Sequence, residues 1–237
     1  MVGKIINFKL LNRMNMKKIF RFLLIISLTI STVLFSSCRS DEDKDSYGLS
    51  KIVTYPVFSL TGGNFVVETA HAGSWTDPGA EAYAGEVKVN VISKGNVNTS
   101  VPGLYTISYT AFDESGLFSV STERKVLITS VPLTADFYSG NYQIVSATRT
   151  NKLDVTCMGG ETLGWYKSTD SWFQSAKIPV EFVDLGTELK VIPGNSNYGP
   201  FDGTVTFNKE TNVLAFSLRF TSGTNAGLSW STSWTKL

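Results

Sequence analysis

The residues of this sequence best able to do chemistry are aromatic rings set among polar residues. Trp165 and Tyr166 precede a short polar segment, and Trp172 follows it. Tyr198 lies in a run of asparagine, serine, glycine and proline. Sugars stack their C–H faces on exposed rings, and large exposed aromatic surface is uncommon unless it meets a partner. These four rings are therefore predicted to bind a glycan, with burial in a small core as the competing interpretation.

Groups for nucleophilic catalysis are scarce. His71 is the only histidine, and it lies in a different predicted domain from Cys157. The chain has no Gly-x-Ser-x-Gly elbow, no Gly-x-Gly-x-x-Gly turn and no phosphate-binding loop. One histidine and one free cysteine do not supply a usual zinc site. We predict no enzyme activity, no metal and no cofactor, and we interpret Cys157 as a small buried hydrophobe.

Paired carboxylates are the remaining catalytic alternative, since two of them can hydrolyse a glycosidic bond. The second half of the chain offers Asp154, Glu161, Asp170, Glu181, Asp184 and Asp202. Their spacing selects no pair, and Glu181 alternates with apolar neighbours as a solvent-facing strand residue does. A hydrolase requires two of them to face each other across a cleft, about 5–10 Å apart.

The amino terminus predicts export. A basic segment precedes an uncharged apolar run at 22–35, which has the length of a signal-peptide core and is too short to span a bilayer. Two serines then precede Cys38, and this ending resembles the lipobox cut by the lipoprotein signal peptidase. Residues 1–37 are predicted to be a lipoprotein signal peptide, with the true start at Met14 or Met16. An uncleaved anchor is the alternative.

Cys38 is the predicted lipidation site. Its thiol would carry a diacylglycerol and its amine a fatty acid such as palmitate, and two or more chains hold a protein stably on a bilayer. Residues 38–49 begin with a charged stretch that cannot pack and are predicted to be an acidic tether. The order Cys-x-Ser-Asp-Glu-Asp resembles the export signal of Bacteroides-type lipoproteins. That resemblance implies an outer-membrane location facing outside the cell.

Removal of the leader makes the mature chain acidic. Six of the 21 basic residues and none of the 20 acidic ones precede Cys38, which leaves 15 basic and 20 acidic residues and a net charge of −5. Nucleic acids and anionic lipid surfaces are bound by clustered cations. We therefore predict no nucleic-acid partner, and contact with the membrane through the lipid anchor.

Strands are predicted to position all of these residues. After residue 38 the chain shows short runs rich in valine, threonine and aromatic residues, separated by glycine, asparagine, aspartate and serine. This is typical of all-β sandwiches and barrels. Segment 213–220 places four apolar residues on one face, and Trp230 and Trp234 share a face of the last strand. We interpret both sets as core, in an all-β chain of two domains that meet near Pro132.

The segment before Pro132 resembles a known module. It contains Asp-Pro-Gly-Ala at 77–80 and Gly-x-Tyr-x-x-x-Tyr-x-Ala-x-Asp at 103–113. This pattern is similar to the bacterial Ig-like module of surface proteins. The resemblance implies an Ig-like β-sandwich at 50–130, which leaves 131–237 for a second small antiparallel β-sandwich or barrel-like domain. Two turns depart from the family pattern, which argues against a calcium site in them.

The order of these parts suggests a function. A lipobox, an Ig-like module and a small C-terminal β-domain resemble surface lipoproteins that accompany glycan uptake systems of the starch-utilisation type. The leading hypothesis is a non-catalytic surface lipoprotein that binds a glycan through its C-terminal domain, with the Ig-like domain as a spacer. The alternative is a structural or adhesin-like protein that binds an outer-membrane protein partner, and a carboxylate-dependent glycoside hydrolase is the third hypothesis.

Overall fold

The computed structural model describes residues 53–145, 150–172, 174 and 176–237, and its regular elements are strands. This confirms the all-β prediction. The predicted signal peptide, the lipidation site Cys38 and the acidic tether lie outside the described residues. Within these ranges no helix has the length and apolar character needed to cross a membrane.

The amino-terminal half is a sandwich of two short sheets. Its strands are β1 (Pro56–Leu60), β2 (Phe65–Thr69), β3 (Ala80–Ala84), β4 (Val87–Val89), β5 (Val91–Lys94), β6 (Gly103–Phe112) and β7 (Ser119–Thr129). The sheet orders are β1-β3-β4 and β2-β7-β6-β5, and β2 runs parallel to β7. On β6 the alternate residues Ile107, Tyr109 and Ala111 are buried, as the two-residue period of a strand requires. The result is the Ig-like arrangement that the motifs predict.

A buried arginine organises the loops of this sandwich. Arg124 on β7 is fully buried and pairs with Asp77, and its guanidinium also donates to three backbone carbonyls. The Tyr109 hydroxyl donates to the same carboxylate at 2.9 Å, and burial raises the pKa of Tyr109 to about 12. Asp77 and Tyr109 belong to the two motifs that carry the Ig-like resemblance. These motif residues therefore hold the sandwich together.

The carboxy-terminal half is one sheet that closes on itself. Its strands are β8 (Gly140–Val145), β9 (Thr150–Cys157), β10 (Trp165–Ser168), β11 (Val180–Asp184), β12 (Leu189–Ile192), β13 (Gly194–Ser196), β14 (Gly199–Asn208), β15 (Val213–Phe220) and β16 (Ser229–Lys236). They pair antiparallel in the order β12-β11-β10-β9-β8-β16-β15-β14-β13. The two end strands, β12 and β13, are separated in the chain by Pro193 alone, so the sheet curls until its edges meet. Proline gives no N–H to a ladder, which suits this break. Of the two predicted forms, the structure shows the barrel-like one.

Apolar side chains fill the inside of the barrel-like sheet. Leu214, Phe216 and Leu218 of β15 are at most 1% exposed, as their alternation predicts. Trp234 of β16 is also fully buried. Small closed sheets are commonly filled by side chains in this way. Side chains thus occupy the inside of the sheet, and its ends and its seam are the parts open to a ligand.

The sandwich docks on one end of the barrel-like sheet. One apolar cluster joins Phe65 and Leu127 of the sandwich to Val183 and Leu185 of the barrel-like sheet. The backbone N–H of Ser130 donates to the Leu185 carbonyl at 2.7 Å. The two halves thus share a small core of their own.

Glycines let the two halves approach closely. A Cβ at Gly164, where φ is +114°, would lie 2.5 Å from the Leu127 side chain. A Cβ at Gly186, where φ is +89°, would lie 2.8 Å from the Val131 side chain. Both positions favour glycine because of their positive φ and because no space is left for a side chain. These two glycines of the carboxy-terminal half thus permit its close contact with β7 and with the segment that follows β7.

Candidate functional site: the distal aromatic end

Two of the four rings predicted to bind a ligand come together. Trp172 and Tyr198 lie edge to face with their ring centroids 5.4 Å apart. Tyr166 is fully buried, and Trp165 packs on Phe65 of the sandwich at 5.6 Å between centroids. The structure thus divides the predicted set between three places.

Tyr166 belongs to the core of the barrel-like sheet. It is 0% exposed and stacks on Phe182 with 5.5 Å between ring centroids. A ring without an exposed face cannot stack on a sugar, so the prediction of a ligand-binding role is wrong for Tyr166. The physical reason is the alternation along β10, in which Tyr166 and Ser168 point inward while Trp165 and Lys167 are less buried.

Trp165 contributes to the contact between the two halves. Its indole N–H donates to Glu181 Oε2 at 3.1 Å, and the Lys125 ammonium lies 5.6 Å from its ring centroid. Together with Phe65, these partners contact the ring from both halves of the described chain. The structure therefore separates Trp165 from Trp172 and Tyr198.

The rings of Trp172 and Tyr198 lie at the end of the sheet opposite the sandwich. Because successive strands run antiparallel, their connections alternate between the two ends. The connections after β9 and β11 meet the sandwich, so those after β10, β13 and β15 gather at the other end. We call this the distal end. It comprises the described residues of 169–179, 197–198 and 221–228.

Five rings meet at the distal end. Trp172 stacks on Trp230 with 5.7 Å between centroids and 26° between ring planes. Trp230 lies 4.8 Å from Phe220, and both rings continue into the core beside Phe201. Tyr198 is 38% exposed, while Trp172 and Trp230 are half-buried. Phe201 and Phe220 are thus buried in the cluster, while the other three rings present part of their surface to solvent.

Trp230 is a half-buried member of this cluster that the sequence did not predict as a ligand contact. Alternation along β16 predicts Trp230 and Trp234 as core, and Trp234 is fully buried. Period two tells which face a residue occupies, but it does not tell how near the end of the sheet the residue lies. The signal that could have distinguished Trp230 is its position just after the glycine-containing connection 221–228.

A buried carboxylate fixes the loop that carries Trp172. Asp170 is 1% exposed, and burial raises its pKa even though hydrogen bonds oppose this effect. Its Oδ1 accepts backbone N–H groups from Ser171 and Trp172 at 2.8 Å and from Ile178 at 3.1 Å. One oxygen atom therefore closes the loop at both ends, and Trp172 is positioned before any ligand arrives.

Ser171 joins the same loop to β16. Its carbonyl accepts the Trp230 indole N–H at 3.2 Å and the Thr232 hydroxyl at 2.8 Å. Its own hydroxyl donates to the Ile178 carbonyl at 2.9 Å. The hydrogen bonds of Ser171 thus support the stack of Trp172 on Trp230.

The other two connections of the distal end are also joined to each other. Asn225 Nδ2 donates to the Tyr198 carbonyl at 2.8 Å, and the Tyr198 N–H donates to Ser196 Oγ at 3.2 Å. The connection 221–228 further contains serine and threonine. Amide and hydroxyl groups both donate and accept hydrogen bonds, as sugar hydroxyls do. Ring faces and suitable polar groups therefore lie side by side at this end.

Three of the carboxylates considered for hydrolysis have structural partners. Glu181 forms an ion pair with Lys167 at 3.2 Å, and Asp202 forms one with Arg219 at 3.0 Å. Asp170 holds the Trp172 loop. Within the part of the chain that the structure describes, no three His, Cys, Asp or Glu side chains are grouped to hold a metal ion.

Comparison with known proteins identifies one part of the chain. Residues 59–128 match the family model described as bacterial surface protein, Ig-like domain, which confirms the resemblance seen in the motifs. No curated protein matches the sequence. Among solved structures, the lipoprotein BT2262 from Bacteroides thetaiotaomicron shares 16% identity over 77% of this chain and 100% of that chain, with a TM-score of 0.35. The family match ends before β8 and does not include the distal end.

Proposed function

We propose that this chain is a lipid-anchored protein of the outer bacterial surface that binds a glycan at its distal end and has no catalytic role. The observation that carries the proposal is the meeting of Trp172, Tyr198 and Trp230 at that end. Such rings offer apolar faces to a sugar. The hydrogen bonds of Asp170 and Ser171 hold the Trp172 loop in place, which reduces the conformational entropy lost on binding.

The Ig-like sandwich acts as a rigid spacer in this proposal. It docks on the end of the barrel-like sheet away from the ring cluster, through the apolar contacts of Phe65 and Leu127. Cys38 precedes the sandwich in the chain, so the sandwich stands between the lipid anchor and the binding domain in chain order. The match of residues 59–128 to an Ig-like domain of bacterial surface proteins supports the surface location.

The charge of the distal end favours a neutral glycan. Among its described residues, Asp170 is buried and Lys177 is the one exposed side chain of the Asp, Glu, Lys or Arg type. Recognition of a uronic acid or a sulfated sugar would call for several cations, as other polyanions do. Stacking and hydrogen bonds to hydroxyls therefore supply the affinity.

Calorimetric titration of the mature chain against a panel of neutral and acidic polysaccharides tests the binding. Trp172→Ala and Tyr198→Ala are expected to weaken binding at least about tenfold, since each removes a stacking face. Tyr83→Ala is the matched control, because Tyr83 on the sandwich is 37% exposed, close to the 38% of Tyr198. Folded protein that binds no polysaccharide, or equal losses in all three variants, would contradict the proposal.

Mass spectrometry of the native protein tests the anchor. We expect a mature chain that begins at Cys38 and carries acyl chains on its thiol and amine. An unmodified thiol with an intact leader would contradict the lipid anchor. It would not affect glycan binding at the distal end, which the calorimetric titration tests separately.

A further inference from the structure

A second cleft opens where the edges of the barrel-like sheet meet. β12 pairs with β11, and β13 pairs with the first residues of β14. Among the described pairings, the second half of β14 has a ladder with β15 and none with β12. A cleft of about 440 Å³ lies between β12 and this part of β14, within the size range of small-molecule sites. We call it the seam cleft.

The seam cleft lies at the opposite end of the sheet from the ring cluster. Part of its wall is the connection between β11 and β12, which contacts the sandwich through Leu185. The distal end is formed by other connections. A ligand in the seam cleft would therefore make none of the contacts proposed for the distal end.

A buried carboxylate faces the seam cleft. Asp184 is 6% exposed, and its Oδ1 accepts one backbone N–H, from Gly186 at 2.7 Å. No lysine or arginine of the described ranges forms an ion pair with it. Burial of a carboxylate costs free energy unless donors satisfy its oxygens. The Tyr138 phenol also hydrogen-bonds to this carboxylate. A carboxylate accepts about four hydrogen bonds, so the hydroxyls of a ligand would add to these two donors.

The remaining walls combine donors, acceptors and a ring. Lys209 offers an ammonium group, and Thr204 and Thr206 offer hydroxyls. Phe207 contributes an apolar ring, and Tyr138 lies at the base with a pKa raised by burial and by the Asp184 carboxylate, so its phenol stays neutral. Each hydroxyl of a sugar both donates and accepts, which matches this mixture.

The charges of the lining disfavour ionic ligands. Two carboxylates, Asp184 and Glu188, and one ammonium, Lys209, give the lining a formal charge of −1. An anion such as phosphate would meet net negative charge, and a cation would meet the Lys209 ammonium. A neutral polyhydroxylated ring satisfies these groups without placing a further charge beside them.

We propose that the seam cleft is a second binding site, for a single neutral sugar unit. The Asp184 carboxylate and the Lys209 ammonium bind its hydroxyls, and Phe207 contacts its C–H face. This site does not depend on the glycan proposed for the distal end, and either can exist without the other.

The test uses the mature chain and four probes: the methyl glycosides of glucose, galactose, mannose and N-acetylglucosamine. Saturation-transfer NMR detects binding, and calorimetry gives the affinity. Thr206→Phe fills the cleft from an exposed strand position and is expected to abolish binding with the fold intact. Asp184→Asn keeps an acceptor for the Gly186 N–H but removes the charge, and it is expected to weaken binding about tenfold.

Two matched variants locate the site. Ser233→Phe adds the same ring at an exposed strand position outside the cleft, and Trp172→Ala removes a ring of the distal end. Ser233→Phe is expected to bind the probe as the unaltered chain does, and Trp172→Ala is expected to retain the binding that Thr206→Phe removes. Loss of binding in Trp172→Ala with binding kept in Thr206→Phe would overturn the seam site and leave the distal-end proposal standing. Absence of binding by all four probes at millimolar concentration would also overturn it.

Discussion

The two halves of the described chain build their cores by different means. The sandwich keeps a charge at its centre, where the fully buried Arg124 is bonded to Asp77 and Tyr109. The barrel-like sheet fills its centre with rings and aliphatic chains such as Phe182 and Phe216. A buried polar network needs a particular residue at each position, whereas an apolar core accepts many sets of similar volume. The first kind of core is therefore readable as a sequence motif, and the second is not.

The same difference determines where a ligand can act. The polar groups of the sandwich network bond to one another and so hold its loops closed. In the barrel-like sheet the apolar filling continues to the end of the sheet, where Trp172 and Trp230 reach the surface. The part that is easiest to recognise is thus the Ig-like sandwich, and the part with the candidate sites is the one that lacks a recognisable motif.

Removal of the Asp77 carboxylate is the strongest expected perturbation. Asp77→Ala leaves Arg124 buried without its counter-charge, and breaking a buried pair costs about 3–5 kcal/mol. Because the Asp77 side chain is 28% exposed, we expect a loss near the lower limit, about 3 kcal/mol in the free energy of unfolding. Urea denaturation at neutral pH measures it.

The control for this prediction is Asp202→Ala. Asp202 pairs with Arg219, whose side chain is 67% exposed, and exposed pairs contribute little. Similar small losses in both variants would show that the buried charge is not central to the sandwich.

The next largest effect distinguishes the two tryptophans of the barrel-like half. Trp165→Ala removes a ring from the contact between the halves and is expected to lower the free energy of unfolding by about 2 kcal/mol, less than for a fully buried ring. It should leave glycan affinity unchanged. Trp172→Ala should cost less stability and remove most of the affinity. Denaturation gives the loss of stability and titration the loss of glycan affinity for each variant. A loss of affinity in Trp165→Ala alone would reverse our assignment of the two rings.

These two tryptophans also show how far sequence reasoning reaches. Alternation predicts the buried face of β15 because that run is long and regular. β10 is four residues long and was not predicted as a strand, so the adjacent Trp165 and Tyr166 were assigned the same role although they point in opposite directions. The stack of Trp172 on Trp230 depends on residues far apart in the chain. Contacts of that kind follow from closure of the sheet, which no local pattern encodes.

A smaller effect concerns the carboxylate under the Trp172 loop. Burial raises the folded-state pKa of Asp170, so its contribution to stability is fully present below its unfolded pKa and is lost as pH rises through the raised value. Asp170→Asn keeps an Oδ1 acceptor and does not titrate there. The stability of the unaltered chain relative to Asp170→Asn should therefore fall as pH rises from about 3 to 7. Denaturation across this range measures it, and a difference that is flat or rises with pH would contradict the assigned direction.

The same position separates loop support from charge. Asp170→Ala removes the acceptor of three backbone N–H groups and should displace Trp172, so glycan affinity should fall. Asp170→Asn should retain most of the affinity. Equal affinities in the two variants would mean that the loop keeps its shape without this oxygen.

The smallest effect tests the apolar character of the barrel-like core. The Tyr166 hydroxyl is buried and makes no hydrogen bond of normal geometry within the described residues, so a buried polar group lies among rings at a cost in stability. Tyr166→Phe is expected to leave the free energy of unfolding unchanged or to raise it by up to about 1 kcal/mol. Tyr142→Phe is the matched control, because that hydroxyl donates to the Tyr138 carbonyl at 2.6 Å and its removal should cost about 1 kcal/mol. If Tyr166→Phe were the more destabilising of the two, the barrel-like core would contain a polar network after all, and the contrast with the sandwich would be one of degree.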